Sequence, residues 1–465
     1  PLLEKTLTDR ERLLGPDHPD TLTSRNNLAL AYQAAGRLND AIPLHEKTLE
    51  ALTQLLGPNH PDTLRSRNNL ARAYQDADRL EQAIDLFEQN LTDSEHVLGP
   101  NHPWTTLFRD NLARVREVVG DRAVLAVVKA DAYGHGRGPV SAAALERADY
   151  LGVAQVGEAL RLRGEVGPGP RILAWIYAPG YDLGEALAAD VDLSVGAFWA
   201  IEAIRRATSL TGVQARVHLK VDTGMARGGF DPADLPAAAA RLRELEAEGR
   251  VAVIGLWSHL ARADEPDCGQ TERQIAVFEE ARAAASRAGL TPQLCHLAAS
   301  GGAFWHPAAR YDMVRPGIAM YGLSPNPDVA TAQAMGLRPA MTLSADLIVD
   351  RDVPENTGIS YGHTDVTAAP ARLGVVPLGY ADGIPRAASN RGPLVVGGMR
   401  TRIRGRVCMD QFVAEIPRAC KAGDTAYLFG GGDLPTADDW AEAAQTIGYE
   451  IVSRLGARVP RSYHG

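Results

Sequence analysis

The sequence predicts a multidomain protein with N-terminal helical repeats, a central α/β barrel and a mostly-β C-terminal domain. Three observations predict this order. A motif recurs with a period of 42 residues, short apolar strands then alternate with alanine-rich helices, and glycine, proline and β-branched residues dominate after residue 345. We expect the domains to span residues 1–110, 111–345 and 346–465.

Composition narrows the class of protein. The 465 residues suffice for two or three domains, and a hydrophobic content of 45% with 23% charged residues is typical of a globular protein. The formal net charge of −9 argues against nucleic acid or an anionic membrane as a partner. No apolar run reaches membrane-spanning length, and no basic-then-apolar leader opens the sequence. The four cysteines fit neither a zinc site nor a disulfide framework, so we expect no metal and a cytoplasmic location.

The first segment is a repeat. The run Leu-Gly-Pro-Asp-His-Pro-Asp-Thr-Leu of Leu14–Leu22 returns at Leu56–Leu64 with asparagine in place of its first aspartate. It returns again at Leu98–Thr105, where tryptophan also replaces the second aspartate. Apolar residues between these loops fall at helical spacing, which predicts two antiparallel helices per unit, with Gly36 or the equivalent Asp78 in the turn. The pattern resembles tetratricopeptide repeats of the kinesin-light-chain type, which implies a possible peptide or protein partner. An asparagine recurs in the same register at Asn27, Asn69 and Asn111.

The middle segment predicts a TIM-type (β/α)8 barrel, because eight strand-and-helix units fit into about 230 residues. Helices are expected at Pro236–Glu248 and Gln270–Ala288. The candidate strands are Val124–Val128, Tyr150–Val153, Ile172–Ala174, Leu193–Val195, Ala215–Val221, Val251–Trp257, Leu294–Leu297 and Met313–Arg315.

Lys129 ends the first of these strands, in the run Ala-Val-Val-Lys-Ala-Asp-Ala-Tyr-Gly-His-Gly of Ala126–Gly136. A lysine at the carboxyl end of a barrel strand loses hydration, its pKa falls, and its free amine can form a Schiff base with an aldehyde. From the strand alone, a lysine that only extends to solvent is equally expected. The flanking Tyr133, Gly134, His135 and Gly136 favour the Schiff-base lysine. With them, the run resembles the pyridoxal-phosphate lysine motif of alanine racemases.

Further motifs of the alanine racemase pattern follow, and together they cover roughly residues 112–461. Taken singly, most are weak: a lysine and an arginine near a strand end suit a solvated rim, and a histidine after a strand is usually a packed polar residue. Their order along one chain makes the resemblance specific. The motifs are Lys220–Arg227, Trp257–His259, His296–Ser300, Val314–Gly322, Gly358–Gly362, Gly379–Gly383 and Arg406–Asp410.

The resemblance implies roles for residues of the barrel. Pyridoxal 5'-phosphate (PLP) is expected on Lys129, and Arg315 is expected at the pyridine nitrogen, where most PLP enzymes place a carboxylate. Arg227 is expected to bind the substrate carboxylate through its planar fork. A carbamylated Lys220 is expected to orient the Arg227 side chain. The cofactor-binding set is completed by Tyr133, His259, Ser300, Gly317 and Ile318, with His296 supporting Arg315.

The resemblance also implies that the β domain completes the active site of a second subunit. Tyr361 is expected as the second catalytic base, acting in the neighbouring chain. Tyr380 matches a residue at the entrance, the Met409 amide is expected to contact the substrate carboxylate, and Asp410 supports the same segment. A homodimer with shared active sites, the interconversion of L- and D-alanine, and D-alanine supply for peptidoglycan are therefore expected.

The chain departs from the family pattern at two points. Alanine racemases usually carry a short strand of the type Glu-Ile-Asp-Leu before their first barrel helix, and Phe108–Asp110 does not resemble it. Pro1–Leu7 matches Pro43–Leu49, so the chain is expected to begin inside a repeat, and the join is expected within Trp104–Arg114. Either the repeat helix replaces the strand, or the chain is a spliced or misassembled product. Ala457 stands where many members have a tyrosine expected to bind phosphate.

Two other functions remain open from the sequence. A racemase of serine or of another small amino acid would carry the same motifs. A repeat-based interaction protein with a catalytically impaired barrel is favoured only by the missing strand and by Ala457.

Overall fold

In the computed structural model, the described residues are 2–16, 18–34, 37–56, 61–77, 79, 82, 86 and 103–463. They belong to two compact units, Pro1–Pro103 and Trp104–Tyr463. The predicted turn residues Gly36 and Asp78, and much of the second and third Gly-Pro loops, lie outside the described residues. Within the described ranges, no helix is long and apolar enough to cross a membrane.

The first unit is helical, as its periodicity predicts. Each described helix packs on the next one along the chain. Ile42, Leu70, Ala73 and Tyr74 form a buried cluster between two of them. The helices are α1 (Leu2–Leu14), α2 (Pro19–Ala34), α3 (Leu38–Leu56) and α4 (Pro61–Asp76).

The 42-residue period is visible in the side-chain contacts of this unit. The hydroxyl of Tyr74 donates a hydrogen bond to Glu46 at 2.6 Å. Tyr32 donates to Glu4 in the same way, 42 residues earlier. An arginine guanidinium lies 4.2 Å from the centroid of each of these two tyrosine rings. The repeat predicted from sequence is therefore a repeat in three dimensions.

Helix α5 (Pro103–Val119) opens the second unit and crosses the predicted boundary at residue 110. Asn111, which keeps the repeat register in sequence, is 1% exposed. Its side chain donates to the carbonyls of Met320 and Arg338 and accepts from the Arg338 amide at 2.9 Å. The apolar face of helix α5 is buried in the barrel core through Phe108, Leu112, Val115 and Val119. The described part of this helix is therefore the first helix of the barrel.

Eight parallel strands form the barrel, and each predicted strand is confirmed with bounds that differ by two residues at most. Neighbours pair in chain order, and β1 also pairs with β8. Asp312 donates a backbone hydrogen bond to Cys295 at 3.0 Å and so brings the last two strands together, which leaves the barrel nearly closed. The strands are β1 (Ala123–Val127), β2 (Tyr150–Gln155), β3 (Arg171–Ile176), β4 (Val191–Val195), β5 (Ala215–Lys220), β6 (Val251–Trp257), β7 (Leu294–His296) and β8 (Met313–Val314).

Helices alternate with these strands on the outside of the barrel and bury alanine-rich faces against it. The two helices predicted by name are confirmed within one residue. The helices are α6 (Arg137–Leu145), α7 (Val156–Val166), α8 (Gly184–Ala188), α9 (Phe198–Thr211), α10 (Leu235–Ala247), α11 (Gln270–Arg287) and α12 (Ser300–Trp305).

The C-terminal part is mostly β, as predicted. Seven antiparallel strands form one sheet in the order β10-β13-β16-β15-β14-β17-β9, and the hairpin β11–β12 stands apart from it. Helices α13 (Ala437–Ala444) and α14 (Gly448–Ser453) end the domain. The strands are β9 (Leu343–Asp346), β10 (Val349–Val353), β11 (Gly358–Ile359), β12 (Asp365–Val366), β13 (Ala371–Val376), β14 (Pro393–Val396), β15 (Met399–Arg404), β16 (Phe412–Glu415) and β17 (Thr425–Phe429).

Candidate active site

A cavity of about 830 Å³ opens at the carboxyl ends of the barrel strands, where barrel enzymes carry their active sites. Trp175 of β3, Ser194 of β4 and Trp257 of β6 form its walls. Nine residues that the sequence predicted for the site line it: Lys129, Tyr133, Lys220, Arg227, His259, Ser300, Arg315, Gly317 and Ile318.

Lys129 enters this cavity from a left-handed turn. The four residues Ala130–Tyr133 all have φ of 53° or 54°, a backbone conformation that costs non-glycine residues about 1–2 kcal/mol each. Contacts from elsewhere hold the turn. Glu158 accepts from the Ala130 amide at 2.8 Å, and the C-terminal Tyr463 hydroxyl donates to the carbonyl of His135 at 3.0 Å. The surrounding structure thus fixes the direction of the lysine.

The environment of Lys129 favours a neutral amine. The side chain is half-buried, and burial followed by the charge of Arg227 lowers its pKa, while Glu158 acts in the opposite direction. A neutral amine carries the lone pair that a nucleophile or a base requires. The lowered pKa therefore makes Lys129 better able to attack a carbonyl carbon or to accept a proton than a solvent-exposed lysine.

Lys220 and Arg227 lie on the opposite wall, at the end of β5 and in the loop that follows it. Burial, and then the charges of Arg227 and Arg315, lower the pKa of Lys220 to about 8. Its ammonium nitrogen lies 4.7 Å from the centroid of the Trp257 ring. Arg227 is exposed at the cavity, so its guanidinium can receive an anionic group from solvent.

Arg315 is the most deeply buried cation of the cavity wall, with 4% of its surface exposed. Burial lowers its pKa to about 9. One guanidinium nitrogen lies 3.0 Å from His296 Nδ1, and the other lies 3.2 Å from His259 Nδ1. Burial and the charge of Arg315 lower the pKa of both histidines well below its ordinary value. Because a guanidinium only donates, both imidazoles are neutral acceptors on that side.

Hydroxyl groups gather at one end of the cavity. The backbone amides of Gly317 and Ala319 donate to Ser300 Oγ at 3.0 and 3.4 Å, so the hydroxyl proton of Ser300 is left to donate elsewhere. A side chain on Gly317 would overlap the Tyr133 hydroxyl, which explains the glycine. The predicted phosphate-binding residues therefore lie together. The Gly317 amide, predicted to hold phosphate itself, donates to Ser300 in this structure.

Tyr449 of α14 also lines this end of the cavity, and the sequence reasoning missed it. Its ring centroid lies 6.3 Å from that of Tyr133, and burial raises the pKa of its hydroxyl, which therefore stays a donor. Ala457, by contrast, is exposed and does not line the cavity. The position of Ala457 therefore does not face the cavity, whereas the tyrosine eight residues earlier does. The sequence signal was a tyrosine in a C-terminal segment rich in apolar residues.

The predicted residues of the β domain do not line this cavity. Their segments are joined to one another, since the Ser360 hydroxyl donates to the Arg406 carbonyl at 2.7 Å and the Tyr380 amide donates to Cys408 at 3.0 Å. Tyr361 is 71% exposed and Met409 53%. The set on this exposed surface is Tyr361, Tyr380, Met409 and Asp410.

The cavity fits PLP. It offers neutral hydroxyl donors at one end for a phosphate, a lysine with a lowered pKa for an aldehyde, and a buried guanidinium for a ring nitrogen. Its volume also leaves room for a small substrate beside the cofactor.

Comparisons with known proteins agree with this geometry. The profile of the alanine racemase N-terminal domain matches residues 106–325, and that of the C-terminal domain matches residues 340–463. The chain belongs to the alanine racemase family. It is therefore a PLP-dependent amino-acid racemase. A tetratricopeptide repeat profile matches residues 1–54 and 24–92, which agrees with the helical first unit.

Individual relatives in this family are similar over most of the second unit. The alanine racemase of Frankia casuarinae is 52% identical over 348 residues, 74% of this chain and 90% of its own. That of Beutenbergia cavernae is 53% identical over 359 residues, 76% of this chain and 94% of its own. The crystal structure of alanine racemase from Streptomyces lavendulae superposes on this chain with a TM-score of 0.76 and is 44% identical to it in sequence. The superposition covers 78% of this chain and 95% of the Streptomyces lavendulae chain.

Proposed function

We propose that this chain interconverts L- and D-alanine by a two-base mechanism, with Lys129 as one base and Tyr361 of the partner subunit as the other. One observation carries the proposal. The cavity brings Lys129 together with Lys220, Arg227 and Arg315, but among the described residues that line it no tyrosine is suited to act as a base. Burial raises the pKa of each of the three tyrosines that line it, Tyr133, Tyr177 and Tyr449.

The barrel residues hold the reactants. Tyr133, Ser300 and Tyr449 would hold the phosphate of PLP, and Arg315 would face its ring nitrogen. When bound, PLP conjugates with the substrate amino group and withdraws electrons from its α-carbon, which makes the α-proton acidic. Because Arg315 cannot accept a proton, the ring nitrogen would stay unprotonated and the withdrawal would be moderate. That limits side reactions.

Two bases are needed because a single base returns the proton to the face from which it came. Lys129 removes or delivers the proton on the D face, and the partner's Tyr361 does so on the L face. Arg227 and the Met409 amide of the partner subunit hold the substrate carboxylate in place. The substrate therefore stays fixed while a proton is removed from one face of its α-carbon and added on the other.

A head-to-tail homodimer would place these groups together. The barrel presents exposed apolar side chains beside the cavity mouth, with Phe198 45% and Trp199 40% exposed. The β domain presents a second such surface around Tyr361 and Met409. Burying each surface against the other would remove apolar area from water and complete two active sites at once.

The cofactor test is an absorbance spectrum of the purified protein, with the Lys129→Ala variant as its control. We expect an absorbance band at about 420 nm that is missing in the variant. In the wild type, borohydride should reduce the bond between Lys129 and PLP, so that the cofactor stays attached and the band is lost. A colourless wild type that takes up no added PLP would overturn the proposal. A D/L-alanine assay with serine as the competitor then decides substrate choice.

The shared site has its own test. Lys129→Ala and Tyr361→Phe chains should each be nearly inactive alone, but a mixed dimer would keep one intact site. Subunits exchanged in equal amounts should therefore recover about one quarter of wild-type activity, since half of the dimers are mixed and each has one site of two. Recovery of nothing would place Tyr361 in its own chain's site, and a Tyr361→Phe chain that is fully active alone would place it outside the mechanism.

We also propose that the product supplies peptidoglycan in the cytoplasm and that the repeat unit binds a peptide or protein partner. Growth of a D-alanine auxotroph carrying this chain, without added D-alanine, tests the first. For the partner of the repeat unit, the test is a binding experiment with immobilised protein. Proteins that bind to the immobilised full chain should not bind to the immobilised Frankia casuarinae racemase. Partners common to both would contradict a role for the repeats.

A further inference from the structure

A line of buried polar side chains runs from Arg315 away from the cavity into the barrel. Arg315 Nη1 lies 3.0 Å from His296 Nδ1, and His296 Nε2 lies 2.9 Å from His218 Nδ1. His218 Nε2 then lies 3.5 Å from the Asp192 carboxylate. The two histidines and the aspartate each have 0% of their surface exposed. They come from β7, β5 and β4, so the barrel itself assembles the line.

The chemistry of these groups gives the line a direction. A guanidinium has no acceptor, so His296 must present an unprotonated Nδ1 to Arg315. A neutral imidazole with an unprotonated Nδ1 carries its proton on Nε2, which donates to His218 Nδ1. His218 in turn carries its proton on Nε2, which faces Asp192. The ring N–H groups of His296 and His218 therefore both point away from Arg315 and towards the Asp192 carboxylate.

The carboxylate at the end of the line is held as an anion. Asp192 accepts from Arg171 Nη2 at 2.7 Å and from Arg216 Nε at 2.6 Å. Burial alone would raise the pKa of Asp192, but its contacts with His218 and Arg171 outweigh burial and keep that pKa below its ordinary value.

The neighbourhood of His218 is built around its ring. A side chain on Gly255 of β6 would overlap His218 Nδ1, so only glycine leaves room for the imidazole in this position. The two histidine rings meet edge to face, with centroids 5.1 Å apart and an interplanar angle of 77°. This geometry directs a ring N–H at the neighbouring ring nitrogen.

We propose that Asp192 and His218 are positioning residues for racemisation, which hold His296 in the tautomer that accepts from Arg315 and thereby keep Arg315 directed at the cofactor ring. The inference rests on the proposed function of the cavity. Neither residue lines the cavity, and each acts only through the next one along the line.

The test compares Asp192→Asn with a matched control, Asp190→Asn, in the PLP-loaded full chain. Asp190 also forms an ion pair with Arg216, at 2.5 Å, but its side chain lies outside the line. An asparagine at 192 can donate to His218 and so reverse both tautomers, which places two donors against each other at Arg315. We expect Asp192→Asn to lower kcat about 10- to 100-fold with KM unchanged, and Asp190→Asn to change neither.

A readout independent of turnover is solid-state 15N NMR of histidine-labelled holoenzyme. The wild type should show both histidines neutral with protonated Nε2, and Asp192→Asn should move at least one of them to the Nδ1 tautomer. His218→Gln supplies a second variant, because its amide accepts from His296 and donates to Asp192, and it should retain far more activity than His218→Phe.

Two results would overturn the inference. One is an unchanged tautomer pattern in Asp192→Asn. The other is equal loss of kcat in both aspartate variants, which would assign the effect to the ion pairs of Arg216. If Asp192→Asn does not fold, the His218→Gln and His218→Phe pair decides, and equal activity of the two refutes the line. An inactive wild type with the expected tautomers would contradict the proposed function alone.

Discussion

The packing of Gly317 against Tyr133 gives a quantitative prediction for cofactor binding. The neighbours of Gly317 leave no space for a side chain. An added Cβ would overlap the Tyr133 hydroxyl and lie 3.0 Å from the ring carbon that bears it. Ordinary contact needs about 3.5–4.0 Å, so the ring must move by roughly 0.5–1 Å. Tyr133 is 8% exposed and stacks on Tyr321 with centroids 4.8 Å apart, which leaves little room for that movement.

The expected effect of Gly317→Ala is the loss of one hydroxyl hydrogen bond to the phosphate. Such a loss costs about 1–3 kcal/mol, which corresponds to about a 5- to 150-fold weaker Kd for PLP. The assay is an absorbance titration of PLP into cofactor-free protein at constant ionic strength. Kcat at saturating PLP should fall much less than affinity, because neither proposed base moves.

Two variants control this experiment. Gly164→Ala lies in α7 with no neighbouring atom within 4 Å, and it should leave the Kd unchanged. Tyr133→Phe removes the same hydroxyl without the overlap, so the double variant with Gly317→Ala should bind PLP little worse than Tyr133→Phe alone. A wild-type Kd in Gly317→Ala, or strict additivity in the double variant, would refute the reasoning.

Three further outcomes are expected. Burial and neighbouring charges lower the pKa of Lys220 to about 8 in the folded protein, whereas it is about 10.4 in the unfolded chain. The charged lysine therefore destabilises the fold fully below pH 8, and this destabilisation is lost as the pH rises towards about 10.4. Lys220→Gln should therefore raise Tm at pH 7 but not near pH 10 in carbonate-free buffer; a constant difference would contradict this. Asn111→Ala should destabilise the racemase unit by about 1–3 kcal/mol in urea unfolding, because it removes the side-chain partner of the Met320 carbonyl and of the Arg338 backbone groups. Asn111→Asp should lose at least as much, because a carboxylate cannot donate to the two carbonyls and would be buried as a charge. Tyr74→Phe removes the bond to Glu46 and should cost the repeat unit about 1 kcal/mol without changing racemase kcat.

The residues predicted at strand ends did assemble, for a general reason. Parallel barrel strands all end on one face, so a motif that follows a strand lies at that face whatever its distance along the chain. Lys129, Lys220, His259 and Arg315 each lie at the end of a different strand or just after it, and all four line one cavity. Their apolar strands were readable from the sequence because β-branched and small residues run without interruption there.

The roles of several other residues were not predicted, because their local sequence pattern is weak or absent. Tyr449 comes from a short helix whose position depends on the path of the chain through the β domain. His218 and Asp192 lie inside strands, where a polar residue is usually packed rather than functional. Asn111 keeps the register of the repeat in sequence, yet in the structure it serves the barrel.

The sequence by itself determined the order of the three parts, the eight barrel strands, the 42-residue repeat and the face on which the chemistry lies. These depend on periodicity and on residue type within short segments. Only the tertiary structure decided that Tyr449 rather than the position of Ala457 faces the cavity, that Tyr361 lies outside its own chain's cavity, and that a carboxylate deep in the barrel connects to Arg315. Such contacts join segments far apart in sequence, and closure of the barrel sets their distances.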